Sequence, residues 1–146
     1  MTDAYVFDTE AIIALLYDEP GHERVGELLD DVEAGDATGA VANANATEIF
    51  YLVARFEGTD ADEPTRASLR TADRDVRALT HRGVSIKRVD WRIAGEVKAD
   101  GDISIADAHA VSLAYERDGT LIAGGDDDFD SLPIDIDVER FRTHGV

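Results

Sequence analysis

The stretch Thr120-Leu121-Ile122-Ala123-Gly124-Gly125-Asp126-Asp127-Asp128-Phe129-Asp130 joins an apolar run to four carboxylates within five positions. Neighbouring carboxylates repel each other by about 1 kcal/mol per pair at 4 Å in water, and by more where water is excluded. A folded protein keeps such a cluster either because the acids fan out into solvent or because a cation lies among them. Both explanations fit this stretch alone, so the rest of the chain has to decide between them.

Apolar runs elsewhere in the chain alternate with segments of helical periodicity. The pattern predicts strands at residues 4–7, 38–42, 84–89, 120–123 and 135–141. It predicts helices at residues 11–16, 22–34, 45–56, 64–81, 91–99 and 104–117. Strands that alternate with helices indicate an α/β fold with a mainly parallel sheet. With 146 residues and no internal repeat, the chain is expected to form a single domain, residues 1–146.

Carboxylates also stand at three other joints between an apolar run and a helix. Asp8 directly follows the first predicted strand. Asn45 and Glu48 have the spacing of a helix-capping box, and so do Ser104 and Asp107. Sites in parallel sheets form outside the carboxyl ends of the strands, where the strand order reverses. We therefore expect these three acids to meet the acidic loop at one edge of the sheet.

The four acids Asp8, Glu48, Asp107 and Asp126 suggest a Mg²⁺ or Mn²⁺ site, because hard divalent cations prefer oxygen ligands. Two such ions held roughly 3.5–4 Å apart can activate water and stabilise the leaving oxygen in phosphodiester hydrolysis. Taken singly, Glu48 and Asp107 are better explained as helix caps, and Asp8 as a turn residue. Only their joint pattern favours a metal site.

The composition bounds the class of protein. The chain carries 32 acids, only two lysines and a net charge of -18. The acids are spread along the whole chain, which indicates a surface adapted to a salty cytoplasm, where the Debye length falls to roughly 3 Å at 1 M salt. The absence of cysteine excludes disulfides, thiolate zinc sites and thiol nucleophiles. With no signal peptide and no apolar stretch of membrane-spanning length, we expect a cytoplasmic protein without membrane contact.

Four segments of the chain resemble, in order, the acidic motifs of PIN-domain nucleases. They are Val6-Phe7-Asp8-Thr9, Ala46-Thr47-Glu48-Ile49, Ser104-Ile105-Ala106-Asp107-Ala108 and Gly125-Asp126-Asp127-Asp128-Phe129. The chain is most similar to the VapC-type toxins of toxin–antitoxin pairs. This resemblance implies a three-layer α/β/α fold with a central parallel sheet. It also implies a Mg²⁺-dependent endoribonuclease that acts on RNA, forms a homodimer and is inhibited by a VapB-like antitoxin.

The resemblance also assigns roles to single residues. It makes Asp8 and Asp107 the primary metal ligands, while Glu48 and Asp126 complete the site or act through water. Three further side chains support them, and the family's pattern implies basic residues for the RNA backbone. The supporting side chains are the accessory acid Asp128 and the hydroxyls of Thr9 and Ser104, and the few basic candidates are Arg55, Lys87, Arg88 and Arg92.

Other functions remain open at this stage. A PIN-type RNA-processing nuclease that is not a toxin would carry the same acids, and a catalytically silent PIN module would act only by binding. A phosphatase of the haloacid-dehalogenase type needs a second Asp two positions after its nucleophile, and Glu10 stands there after Asp8. An EF-hand loop beginning at Asp126 would have Ser131 where that loop requires glycine. Trp91 is expected in the core or in a dimer contact.

Overall fold

The computed structural model describes residues 2–125 and 127–142 of the chain. The strands are β1 (Asp3–Phe7), β2 (Ala37–Ala42), β3 (Val84–Lys87), β4 (Thr120–Ala123) and β5 (Asp137–Arg140). The helices are α1 (Thr9–Leu16), α2 (His22–Glu33), α3 (Asn43–Phe56), α4 (Arg66–His81), α5 (Trp91–Asp100) and α6 (Ile105–Glu116). A short 3-10 helix, Asp127–Phe129, follows β4.

All five strands lie parallel in one sheet of order β3-β2-β1-β4-β5. In the register, Val6 of β1 stands opposite Ala40 of β2 and Leu121 of β4. Parallel neighbours need a crossover connection, which α-helices provide between β1 and β4, while the described residues between β4 and β5 form a loop with the short 3-10 helix. The α/β fold with a parallel sheet that the sequence predicted is confirmed.

Side chains alternate between the two faces of the sheet and build two apolar layers. Phe7, Val41 and Ile122 pack against α1, α2, α3 and α4 on one face. The residues beside them in the sequence, Val6, Ala42 and Leu121 among them, pack against α5 and α6 on the other face. Burying one large apolar side chain contributes roughly 1.5–3 kcal/mol, so these two layers dominate the stability of the fold. Helices on both faces complete the three-layer α/β/α arrangement.

All the predicted boundaries agree with the structure to within two residues, but one predicted helix cap does not. β3 ends at Lys87, two residues earlier than predicted. The capping box expected at Asn45 is wrong, because α3 begins two residues earlier, at Asn43. Asn45 is therefore inside the helix and fully buried, and its side-chain amide donates to Thr9 Oγ1 at 3.0 Å. This partner from a distant segment explains why a polar residue stands at a buried helical position.

The order of the strands determines where a site can form. β1 is central, and the chain builds β2 and β3 on one side of it before crossing to β4 and β5 on the other. The strand order therefore reverses next to β1, and ligand sites in such sheets lie outside the carboxyl ends of the strands at this point. The Asp8 N–H donates to the Ile122 carbonyl at 3.0 Å, which ties the end of β1 to β4.

Within the described ranges, no helix combines the length and apolarity needed to cross a bilayer. The charge of the chain leads to a prediction about stability instead. We expect the melting temperature to rise by roughly 10 °C when KCl is raised from 0.1 to 1 M, because screening relieves the repulsion among the acids. Thermal unfolding followed by circular dichroism measures this. A melting temperature that stays constant or decreases as KCl is raised from 0.1 to 1 M would contradict the adaptation to salt.

Candidate metal centre

A cleft of about 360 Å³ opens at the carboxyl end of β1. It is lined mostly by acidic and hydroxyl side chains, with Ile13 and Leu52 as its apolar members. Six of the residues that the sequence singled out lie here, and the seventh, Asp126, lies outside the described residues. The six are Asp8, Thr9, Glu48, Ser104, Asp107 and Asp128. The fold thus brings together acids that are separated by up to 120 positions in the chain.

Asp8 is the most buried of these acids, with 3% of its surface exposed. It precedes α1 and makes no side-chain cap to that helix. The backbone N–H of Thr9 donates to its carboxylate, but its Oδ1 has no hydrogen-bond partner among the described residues. A buried oxygen without a partner costs roughly 1–3 kcal/mol. Burial therefore raises the pKa of Asp8 to about 7, although the hydrogen bond with Asp107 opposes the shift.

Asp107 lies in the first turn of α6, where the Ser104 hydroxyl accepts a hydrogen bond from its N–H at 3.1 Å. Its carboxyl group is within hydrogen-bonding distance of both Asp8 and Asp128. Burial raises the pKa of Asp107, and the negative charges of Asp8 and Asp128 raise it further. Two carboxylates this close cannot both ionise easily without a cation, so the Asp8–Asp107 pair holds a proton near neutral pH.

Two glutamates add negative charge around Asp8. Glu48 is in the second turn of α3, and its charge contributes to the raised pKa of Asp8. Glu10, which the sequence reasoning did not include, lies on the same cleft and has the same effect. Arg142 forms an ion pair with Glu10, and its other nitrogen donates to Glu19 at 3.3 Å. Glu10 is therefore neutralised by a residue from the end of the described chain.

Gly124, immediately after β4, packs directly against the carboxyl group of Glu10. A side chain at this position would overlap that carboxyl group, so glycine leaves room for the Glu10–Arg142 pair. The position of Glu10 two residues after Asp8, in the first turn of α1, could have identified it as a cleft residue. Neither Arg142 nor Asn45 carried such a signal, because their partners lie 132 and 36 positions away.

The side chains present suit a hard divalent cation. All the charged groups on the cleft are carboxylates, which offer the oxygen ligands that Mg²⁺ and Mn²⁺ prefer. The unpartnered oxygen of Asp8 and the mutual repulsion of the Asp8–Asp107 pair are the features that a cation would relieve. Within residues 2–125 and 127–142, no three acidic side chains stand close enough together to bind one ion. The described acids meet in pairs, with Asp107 between Asp8 and Asp128.

Solved structures with the same fold cover nearly the whole chain. VapBC2 from Rickettsia felis, bound to a DNA fragment from its promoter, has a TM-score of 0.68 at 15% identity and covers 94% of this chain and 98% of its own. DNA-bound VapBC from Salmonella typhimurium has a TM-score of 0.64 at 14% identity, with coverages of 97% and 99%. FitAcB from Neisseria gonorrhoeae has a TM-score of 0.63 at 18% identity, with coverages of 94% and 97%.

These identities are low, so the structural likeness shows the fold alone, and no match was found among curated protein sequences. The sequence itself provides the link to a family. The sequence model of the PIN domain family matches residues 5–134 of this chain. This range runs from β1 through the acidic loop after β4. Since the match takes in most of the chain and every acid on the cleft, this chain belongs to the PIN domain family, whose members are in general nucleases.

Proposed function

We propose that this protein is an endoribonuclease that hydrolyses RNA phosphodiester bonds with Mg²⁺ or Mn²⁺ and acts as the toxin of a toxin–antitoxin pair. The observation that carries the proposal is the Asp8–Asp107 pair at the point where the strand order reverses, in which Asp8 is buried and Asp107 half-buried. Two carboxyl groups held together in this way destabilise a fold when both are ionised, so the presence of the pair is best explained by a cation that the protein binds in use.

In this proposal Asp8 and Asp107 are the primary metal ligands. Glu48 and Asp126 complete the site, Asp126 on the basis of the sequence alone, and Asp128 is an accessory ligand. An ion held by these carboxylates would supply the activation of water and the neutralisation of charge on the phosphodiester. The chain's own groups prepare the site: the Ser104 hydroxyl fixes the first turn of α6 and so the position of Asp107.

Two further contacts fix the positions of residues that line the cleft. Thr9 accepts a hydrogen bond from the buried amide of Asn45, which locks the start of α1 against α3. Since Asp8 precedes Thr9 and Glu48 follows Asn45 by one turn, this bond sets the spacing of the two acids. Arg142 holds Glu10 in an ion pair, so Glu10 is not an additional ligand in this proposal.

No histidine lines the cleft in the described part of the chain, and its one serine already accepts the Asp107 N–H. A serine or histidine nucleophile therefore has no support here, whereas hydrolysis by activated water needs neither. A phosphatase of the haloacid-dehalogenase type uses an aspartate nucleophile instead, but the acid that it needs two positions later is here Glu10, held in an ion pair by Arg142, which argues against that phosphatase. The retained acids likewise argue against a catalytically silent binding module.

The partners are proposed from the structural neighbours, which are VapBC and FitAB complexes. We propose that a VapB-like antitoxin inhibits the protein, that the protein is a homodimer and that it works in the cytoplasm. An RNA-processing nuclease is the second candidate, since it would use the same acids. The neighbouring gene separates the two, because a short reading frame for a DNA-binding antitoxin beside this gene is expected only for the toxin.

One assay tests the reaction. In 2 M KCl, we expect the protein to cut a structured RNA with Mn²⁺ or Mg²⁺, to stop in EDTA, and to leave p-nitrophenyl phosphate intact. The proposed hydrolysis needs a bound divalent ion, so cleavage should return when an excess of metal is added to the EDTA-treated protein. Cleavage is followed on a denaturing gel and phosphomonoester hydrolysis by absorbance. Release of nitrophenol without RNA cleavage would favour the phosphatase and contradict the proposal.

A further inference from the structure

A second cavity, of about 480 Å³, opens at the same edge of the sheet as the acidic cleft. Its lining differs from that of the cleft, because it contains no acid. The lining residues are Asn43, Ala44, Arg88, Val89, Trp91 and His109. We call the cavity that these six residues line the Trp91 cavity. Its side chains offer an aromatic ring, a cation, an imidazole and an amide, which together suit a nucleotide better than a metal ion.

Trp91 is 80% exposed, so it does not lie in the core, while the alternative expectation of a dimer contact stays a prediction. It is the first residue of α5, and the Asp90 side chain caps that helix by accepting from the N–H groups of Arg92 and Ile93. The helix therefore begins without help from the indole. An indole of this size that is left in solvent forgoes roughly 2 kcal/mol of burial, which indicates a contact made outside the folded chain.

The charge of the segment around Trp91 is opposite to that of the protein. Lys87, Arg88 and Arg92 are basic, and only Asp90 among residues 87–92 is acidic. Lys87 and Arg88 form no ion pair with any residue that the structure describes. Arg92 makes only an exposed pair with Glu96 at 3.5 Å. In a chain with net charge -18, unpaired cations beside an exposed indole fit a polyanion with aromatic bases.

The Trp91 cavity adjoins the acidic cleft through two helices. Asn43 and Ala44 form the first turn of α3, and Glu48 follows Ala44 by about 6 Å along the helix axis. His109 follows Asp107 by two positions on α6, and the two residues face the two different cavities. Since α3 and α6 contribute residues to both cavities, a strand of nucleic acid at the carboxylates can extend along this edge of the sheet toward the indole.

We propose that the Trp91 cavity is a binding subsite for single-stranded RNA, in which one unpaired base stacks on Trp91 and an adjacent phosphate binds Arg88. Stacking needs a free base face, which a base inside a duplex does not offer. Stacking also resists salt, whereas the attraction of Arg88 for phosphate is screened. Stacking on Trp91 thus allows a protein with so few cations to bind RNA in concentrated salt.

This inference rests on the proposed function for its substrate, but its test does not require cleavage. Trp91 is the only tryptophan, so its fluorescence reports on this cavity alone. We expect a ten-nucleotide oligoadenylate to quench the emission saturably in 2 M KCl with EDTA, where no divalent metal ion is available. The Arg88→Gln variant should weaken this binding about 3-fold in 2 M KCl and about 10-fold in 0.3 M KCl.

Cleavage by the metal-loaded protein gives a second measurement. Trp91→Ala should raise KM for single-stranded RNA about 10-fold with kcat little changed, and Trp91→Phe should restore KM to within about 3-fold. Tyr115→Ala and Arg70→Gln are the matched controls, since both residues are exposed and lie away from the two cavities. Neither control should change KM.

The outcomes separate this inference from the proposed function. Cleavage by a protein whose emission is unchanged by oligoadenylate would overturn the subsite and leave the nuclease in place. Saturable quenching without cleavage would keep the subsite and reject the nuclease. Equal quenching by an oligoadenylate–oligouridylate duplex would overturn the stacking of an unpaired base. A shift of Trp91→Ala from dimer to monomer in sedimentation, with unchanged RNA binding, would assign the indole to a contact between two copies instead.

Discussion

Asp107→Asn is expected to slow metal-dependent RNA cleavage by at least about 100-fold while the fold is retained. The carboxylate of Asp107 stands between those of Asp8 and Asp128, so its replacement removes the charge at the centre of the cluster. Asparagine keeps the size of the side chain, and the Ser104 hydroxyl still accepts the N–H of residue 107. Initial cleavage rates at saturating Mn²⁺ in 2 M KCl measure the effect, and circular dichroism checks the fold.

Asp118→Asn is the matched control for this variant. Asp118 is exposed, follows the end of α6 and has a φ of 50°, a conformation that asparagine also adopts. The same chemical change there should leave the cleavage rate within about 2-fold of the parent, because its carboxylate is remote from the cleft. If Asp107→Asn cut RNA as fast as Asp118→Asn, the assignment of the metal ligands would be wrong even though RNA cleavage itself remained.

The metal-free protein is expected to lose stability as the pH rises from about 5 to 9, and Mn²⁺ is expected to restore it. Asp8 and Asp107 have raised pKa values in the folded state, so the folded protein binds more protons than the unfolded chain in this window. Stability then falls with rising pH, from the unfolded pKa near 4 through the folded pKa. For one buried carboxyl the loss is on the order of 3 kcal/mol.

Urea unfolding at pH 5, 7 and 9 in 2 M KCl, with EDTA or with 1 mM Mn²⁺, measures this linkage. Stabilisation by Mn²⁺ should be largest at pH 9, since metal binding displaces the protons that the pair holds at lower pH. In Asp8→Asn one of the two charges is gone, so the metal-free protein should be more stable than the parent at pH 9. Stability that rises with pH in the metal-free parent would show that the pair is not desolvated.

β1 and β4 could be predicted well from the sequence because each contains a short apolar run bounded by turn or capping residues, and β3 because its side chains alternate between apolar and polar. The run at Thr120–Ala123 agrees residue for residue with β4. The errors arose where local signals competed with partners far along the chain. Asn45 has the local pattern of a helix cap, but it lies inside α3, where its side-chain amide donates a hydrogen bond to Thr9. The strand order, which positions the site, could not be derived from any local pattern.

The site was predictable to the extent that its acids stand where strands and helices join. The structure brings four of these acids to one cleft: Asp8, Glu48, Asp107 and Asp128. Their role as metal ligands stays a prediction. Arg142 was missed because an arginine near the end of an acidic chain gives no sign that it pairs with Glu10. Of the two places predicted for Trp91, the core is wrong, because helical spacing cannot distinguish a buried aromatic residue from an exposed one, and the dimer contact stays a prediction.

The central position of β1 in the sheet has a consequence during synthesis. β1 leaves the ribosome well before β4, which is one of its two neighbours in the sheet and begins at residue 120. A parallel pairing over such a sequence separation is among the last contacts to form. Nascent chains should therefore hold their carboxylates apart until β4 has been synthesised, so that a ribosome stalled before β4 releases only an inactive fragment.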